Sequence, residues 1–281
     1  MWLPQQRCLD RKMNEKQLIE IKNRVIALTE AVAREIKDAP FSVDEKEGVL
    51  NIVTSNDIKS QRMLVEGLRE ILPEAGFFCE EEGLRDSESE YIWVIDPIDG
   101  TANYARGIGD SAISVALISG GEPLVGVVKN ISREECFSAV KGCGAELNGR
   151  AIRVSKRSFD NGILCTAMSL YKKEHAKVCS DIIFDAYLQC NDVRRFGSCA
   201  IELCYMAAGM CELYFEIRVF PWDFGAALLI LREADGVARG LQDSELSYTR
   251  PTVVIGANNE ENYRKLSDIV NSHLQNTPYE D

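Results

Sequence analysis

Apolar side chains at Leu18, Ile21, Val25, Leu28, Val32 and Ile36 recur at spacings of three and four. That is the stripe an amphipathic helix turns toward a core, and it predicts a helix over 15–37. Pro40 ends it, and 41–48 reads as a charged, solvated connection bounded by proline and glycine. A second stripe (Ile58, Met63, Leu64, Leu68, Ile71, Leu72) stops at Pro73, with Asp57 at its head as the expected N-cap. Then the period changes. Phe77-Phe78-Cys79 reads as a short buried strand, and Tyr91-Ile92-Trp93-Val94-Ile95, aromatic or β-branched throughout, as a strand buried on both faces.

Further strands are expected over 113–118, 124–128 and 135–140, and Asn148-Gly149 is a strong hairpin signal. The first half therefore reads as two helices on a large, mostly antiparallel or mixed sheet. Beyond about Thr166 strands and helices alternate: strands over 162–167, 193–196 and 212–215, helices over 174–188, 198–208 and 222–234. Such alternation is a βα pattern. A strand over 252–257 and a helix over 259–274 close it, and the tail from Gln275 is expected to fray. The organisation is mixed, α+β passing into α/β. Residues 1–166 carry the larger sheet and 167–281 a smaller alternating subdomain of one integrated unit.

The chain's 281 residues suffice for such a core, and 46% hydrophobic with 27% charged residues is an ordinary globular balance. No apolar run reaches the roughly 18 residues of a membrane span, and the opening residues lack the pattern of an export signal. Ten cysteines without a C-x-x-C pair, set among apolar neighbours, read as reduced and buried, so the cytoplasm is the expected compartment. With only His175 and His273 present, a histidine triad or a zinc site is not expected. A net charge of -12 argues against nucleic acid and anionic membranes as partners. It would also repel a phosphorylated small molecule unless bound cations reversed the local field.

The candidate chemistry lies where strands stop. Asp96-Pro97-Ile98-Asp99-Gly100-Thr101 delivers two carboxylates and a hydroxyl at the end of an apolar strand. A hard divalent cation between the aspartates is one reading, and a plain turn is the other. Glu80, in Glu80-Glu81-Glu82, has the same placement at a strand end. Asp223, after Phe220-Pro221-Trp222, falls in the first turn of an apolar helix, where a cap alone would explain it. Gly197-Ser198-Cys199 could offer N–H groups to an oxygen-rich ligand or form an ordinary cap. Arg194-Arg195 reads as surface charge rather than a phosphate contact. Lys46 is either solvated or folds over a bound phosphate.

Glu80-Glu81, the central hexapeptide and Trp222-Asp223, in this order, resemble the inositol monophosphatase family of metal-dependent sugar phosphatases. Val53-Thr54 with Asp57 upstream and Gly197-Ser198 with Glu216 downstream support the likeness. The resemblance implies a layered α-β-α-β-α sandwich of the sugar phosphatase type. It implies Mg2+, two or three ions per site, held by Glu80, Asp96, the Ile98 carbonyl, Asp99 and Asp223. Catalytic roles fall to Glu80, Asp57 and Thr101, the last two beside the attacking water. Substrate contacts fall to Asp99, Gly100, Thr101, Gly197, Ser198, Cys199, Glu216 and the loop lysine Lys46. A small phosphate ester, inositol monophosphate or a similar polyol phosphate, is the implied substrate. Lithium sensitivity and a homodimer are implied as well.

The family's pattern is not matched everywhere: Cys79 stands where glycine is common, Ala102 where a second threonine is common, and Gln61 where a glutamate often lies. These differences bear on substrate preference. Fructose bisphosphate, a nucleotide 3'-phosphate and histidinol phosphate are alternative esters within the superfamily. An aspartyl-phosphate mechanism is disfavoured because the spacing is D-x-x-D-G-T rather than D-x-D-G-T. A catalytically silent metal-binding scaffold is the alternative from another class, and such a chain would be free to lose the carboxylates retained here.

Overall fold

In the computed structural model the described residues are 13–45, 52–86, 88–168 and 173–274. Helix α1 (Glu15–Ile36) opens with a capping box in which Asn14 and Gln17 exchange side-chain-to-backbone hydrogen bonds. Its apolar stripe is buried from Leu18 to Ile36, as the spacing predicts. Part of the expected connection after it is structured: β1 (Val43–Glu45) pairs antiparallel with β2 (Ile52–Thr54). Helix α2 (Ser55–Ile71) follows directly. Contrary to the sequence expectation, Asp57 is not its N-cap. Thr54 takes that position and Asp57 lies one turn inside, accepting hydrogen bonds from Thr54 N (2.8 Å) and Thr54 Oγ1 (2.5 Å). A hydroxyl cap and an acid three residues on satisfy each other, which neither does alone.

Strand β3 (Gly76–Cys79) runs parallel to β4 (Tyr91–Asp99). The apolar run suggested that β4 would stop at Ile95, yet it continues to Asp99 through a register break against β5 between Asp96 and Asp99. Pro97 falls inside that break, where no ladder N–H is demanded of it. A six-residue helix, α3 (Thr101–Arg106), then turns the chain into β5 (Ala112–Ser119). An antiparallel meander follows through β6 (Glu122–Asn130), β7 (Cys136–Val140), β8 (Ala145–Leu147) and β9 (Arg150–Ile152). Asn148 and Gly149, with φ of 50° and 72°, form the foreseen hairpin turn. The seven strands lie in the order β3-β4-β5-β6-β7-β8-β9.

The expected boundary at Thr166 falls too late, since β10 (Ile163–Thr166) pairs into the second sheet. The second half runs β10, α4 (Ala176–Tyr187), β11 (Asp192–Arg194), α5 (Cys199–Ala207), β12 (Leu213–Val219) and α6 (Pro221–Glu233). It ends with β13 (Val237–Arg239), β14 (Thr252–Ala257) and α7 (Glu260–Leu274). The five strands order as β11-β10-β12-β14-β13. The first three are mutually parallel, as βα alternation predicts, while β14 runs antiparallel to both β12 and β13.

Three apolar clusters mark the layers. One packs α1 and α2 against a face of the seven-stranded sheet. A second buries α5 and α6 between the two sheets, and a third packs α4 and α7 on the far face of the five-stranded sheet. The stack is an α-β-α-β-α sandwich. In α6 every residue from Phe224 to Leu231 is buried. A fully buried aliphatic or aromatic side chain contributes about 1.5–3 kcal/mol, so this middle layer fixes the start of α6 firmly against the strand ends. The described cysteines are all free thiols, most of them buried. Among the described residues no helix is long and apolar enough to cross a membrane.

Candidate metal centre

The parallel pairing of β3 with β4 sets Cys79 beside Ile95, and Glu80 N continues the ladder to Ile95 O at 3.1 Å. The next residue on each strand is acidic, so Glu80 and Asp96 emerge side by side where the apolar pattern ends. The register break then returns Asp99 to the same end of the sheet. Asp223 arrives from the opposite half, in the first turn of α6, where Phe220 N donates to its Oδ2 at 2.9 Å. Ser114 Oγ donates to Trp222 O at 3.0 Å and ties that turn to β5.

Asp96, Asp99 and Asp223 each offer an oxygen within 4.8 Å of the others. Glu80 lines the same cleft, close enough to Asp96 for its charge to be felt there. Burial, reinforced by the neighbouring carboxylates, pushes Asp96 and Asp223 well above the usual carboxylate range. Asp99 is pushed up to about 7, mainly by burial and despite hydrogen bonds from Ser198 and Ala200. Among the described residues no lysine or arginine forms an ion pair with these three aspartates. Converging carboxylates that cost this much to ionise are what a hard cation relieves, and the donor set is all oxygen, without histidine or cysteine in the cluster. The residues therefore fit Mg2+.

Thr101 and Asp57 lie together. Thr101 Oγ1 is 3.1 Å from Asp57 Oδ1 and 3.0 Å from Ile98 O. Asp57 is fully buried, behind Thr101 rather than on the cleft wall, and the Thr54 hydrogen bonds hold its other oxygen. Burial pushes its carboxyl upward, and the hydrogen bonds from Thr54 oppose this. Gly100 sits at φ 85°, and an added Cβ would come within 3.0 Å of Gly197 O and 3.1 Å of Asp110 O, so only glycine fits this close approach.

On the far wall Ser198 caps α5, accepting from Ile201 N, and its Oγ donates to Asp99 Oδ2 at 2.6 Å. Ala200 N donates to the same oxygen at 2.7 Å. Both readings of the Gly197-Ser198-Cys199 stretch therefore hold, since the cap also grips a cluster carboxylate. Glu216 lines the cleft with Tyr214 Oη donating to its Oε2 at 2.6 Å. Ile98, Gly100, Gly197 and Cys199 line it as well. Lys46 lies outside the described residues.

Sequence reasoning missed three members of this wall. Glu202, almost completely buried, accepts from Phe196 N (2.6 Å) and Gly197 N (2.9 Å) and so holds the loop in front of α5. Arg195 and Arg218 both line the cleft. Arg195 reads as surface charge from sequence; it is exposed, and it also lines the cleft. Arg194, the last residue of β11, pairs instead with Asp192.

The model of the inositol monophosphatase family matches residues 14–275. The Nus factor SuhB of Escherichia coli strain K12 is 36% identical over 203 residues, covering 71% of this chain and 76% of that protein. Among solved structures, the extragenic suppressor protein suhB of Bartonella henselae superposes with a TM-score of 0.82 at 28% identity, covering 89% of this chain and 98% of that one. The inositol monophosphatase of Anabaena superposes with a TM-score of 0.79, also at 28% identity, over 91% and 96% of the two chains.

Proposed function

The chain belongs to the inositol monophosphatase family, a family of phosphatases, and from this premise we propose that it hydrolyses inositol monophosphate or a similar polyol phosphate, with Mg2+ as cofactor. The observation that carries the reading is the convergence of Asp96, Asp99 and Asp223, from both halves of the chain, with oxygens within 4.8 Å of one another. Glu80, these three aspartates and the Ile98 carbonyl would hold the metal. When bound, Mg2+ would neutralise the phosphate, acidify a water and stabilise the leaving oxygen.

The chain's own groups supply position and proton handling. Asp57, pinned by Thr54, accepts a hydrogen bond from the Thr101 hydroxyl at Oδ1. A lone pair on Thr101 Oγ1 is then left to accept a hydrogen bond from the attacking water and orient it. The hydroxyl has one proton, so its contact with Ile98 O alternates with the one to Asp57. N–H groups of Gly100 and Thr101, where α3 begins on the cleft wall, are placed to receive phosphate oxygens. Ser198, Cys199 and Glu216 face the space a polyol would fill, and Glu216 keeps an acceptor for a sugar hydroxyl. A silent scaffold would be free to lose these three clustered, mutually repelling acids, which favours the catalytic reading.

The test is phosphate release from a panel of esters with Mg2+ titrated. Release that requires Mg2+ and collapses in Asp96→Asn supports the reading; full activity in chelator overturns it. The panel of inositol monophosphate, fructose bisphosphate, a nucleotide 3'-phosphate and histidinol phosphate identifies the preferred ester.

A further inference from the structure

The cleft is lined by two cations as well as by acids. Beside the carboxylates Arg195 and Arg218 line it, and neither forms an ion pair among the described residues. In a cleft this acidic, unrestrained guanidinium groups would fold onto the nearest carboxylate. Instead each is held apart. Arg194, the last residue of β11, pairs with Asp192, while Arg195, just beyond the strand, lines the cleft. Arg195 stands near enough to Glu216 to oppose the upward push of burial on that carboxyl, yet makes no ion pair with it.

Arg218 is held more unusually. Pairing of β12 with β14 breaks between Glu216 and Val219, so residue 218 is released from the ladder. Its φ is 62°, a left-handed conformation that disfavours every side chain and that glycine would adopt freely. The guanidinium carbon lies 5.8 Å from the centroid of the Phe220 ring, which stacks on Trp222 at 4.9 Å and 6°. An aromatic shelf thus presents the charge to the cleft. A strained arginine, braced and without an acidic partner among the described residues, indicates that the charge itself is wanted there.

We propose that Arg195 and Arg218 form a second anion subsite, so that the ester turned over here carries, besides its scissile phosphate, another anionic group, either phosphate or carboxylate. This rests on the phosphatase reading and narrows its substrate class: the scissile phosphate lies at the carboxylate wall and the second anion meets two guanidinium forks.

The experiment compares wild type, Arg218→Gly and Arg195→Ala at saturating Mg2+ on glycerol 2-phosphate, fructose 1,6-bisphosphate and 3-phosphoglycerate. Glycine accepts the backbone conformation at 218, so that variant folds at least as readily as wild type. Wild type favours the two anionic esters. In each variant the ratio of kcat/KM for an anionic ester over glycerol 2-phosphate falls roughly tenfold, the loss of one charge-assisted contact, and the change appears in KM. Raised salt erodes the preference in wild type more than in the variants. A loss confined to fructose 1,6-bisphosphate assigns the subsite to phosphate, and one confined to 3-phosphoglycerate assigns it to carboxylate. An unchanged ratio in both variants, or a wild-type preference for glycerol 2-phosphate, overturns the proposal. Calorimetric binding of fructose 1,6-bisphosphate to the three proteins decides the subsite without turnover. If wild type hydrolyses none of the esters, it is the phosphatase reading that fails.

Discussion

Gln61 holds Glu81 by both of its backbone polar groups: Nε2 donates to Glu81 O at 2.6 Å, and Oε1 accepts from Glu81 N at 2.9 Å. Gln61 is completely buried, so no water can replace it, and the residue it fixes adjoins Glu80. Gln61→Leu would strand one donor and one acceptor, each costing about 1–3 kcal/mol. For a chain of this size that lowers Tm by roughly 4–24 °C, at about 2–4 °C per kcal/mol. Glu80 would also lose its anchor, and half-saturating Mg2+ should rise roughly tenfold, as when a group supporting a metal ligand is removed. Thermal unfolding and a Mg2+ titration check the two effects. Gln61→Glu keeps an acceptor for Glu81 N but offers no donor to Glu81 O, and is expected to fall between.

Asp96→Asn should separate stability from function. Asp96 is held well above its ordinary range by burial first and by Glu80, Asp99 and Asp223 next. Without metal the folded protein therefore bears a cost at neutral pH that asparagine removes. The variant is expected to melt at a higher temperature than wild type in chelator and to gain nothing from Mg2+. Calorimetry with and without the ion tests this, and a variant less stable than wild type in chelator would show that the aspartates do not repel one another.

Asp99 gives the pH dependence of the metal-free protein. Its carboxyl is raised from 3.8 to about 7 on folding. Between those values the folded chain binds more protons than the unfolded one, so stability falls as pH rises through that window. Above about 7 the full penalty is present. Mg2+ removes it by displacing the proton, so the Tm gain on adding Mg2+ should be small at pH 5 and large at pH 8. Apparent Mg2+ affinity should likewise climb with pH and level off once Asp99 is ionised. An affinity independent of pH between 5 and 8 would mean that burial does not hold a proton on Asp99 in the metal-free protein.

The convergence of acids was legible because each stands where an apolar pattern stops: Phe77-Phe78-Cys79 before Glu80, Tyr91 to Ile95 before Asp96, and Trp222 before Asp223. Period and punctuation are local signals, and those elements formed as expected. The order of layers came from the resemblance, since no local pattern says that α5 and α6 lie between two sheets. The misses are non-local. Thr54 displaced Asp57 as the cap because two residues satisfied each other. β4 ran past Pro97 because a bulge excused the missing donor. Arg218 could not be foreseen in the cleft, because its direction depends on a break in pairing with β14, far along the chain.

Glu202 offers the sharpest test of how the substrate wall is held. Its Oε1 gathers Phe196 N and Gly197 N, while its buried Oε2 has no hydrogen-bond partner among the described residues. Burial, with Glu216 next, drives its carboxyl well above the ordinary 4.5. By the same sign as at Asp99, wild type loses stability as pH rises above about 4.5 on account of this group. Glu202→Gln preserves an acceptor for both N–H groups and cannot ionise. It should match wild type near pH 5 and exceed it at pH 8. Glu202→Ala leaves two N–H groups in a part-buried loop without their acceptor, at about 1–3 kcal/mol each where water is excluded. The loosened Gly197-Ser198 segment would then let go of Asp99, which Ser198 Oγ grips at 2.6 Å. For the alanine variant KM for the ester should rise several-fold and Tm fall, while the glutamine variant keeps a near wild-type KM. If alanine and glutamine behave alike at both pH values, the two hydrogen bonds to Oε1 do not hold this loop.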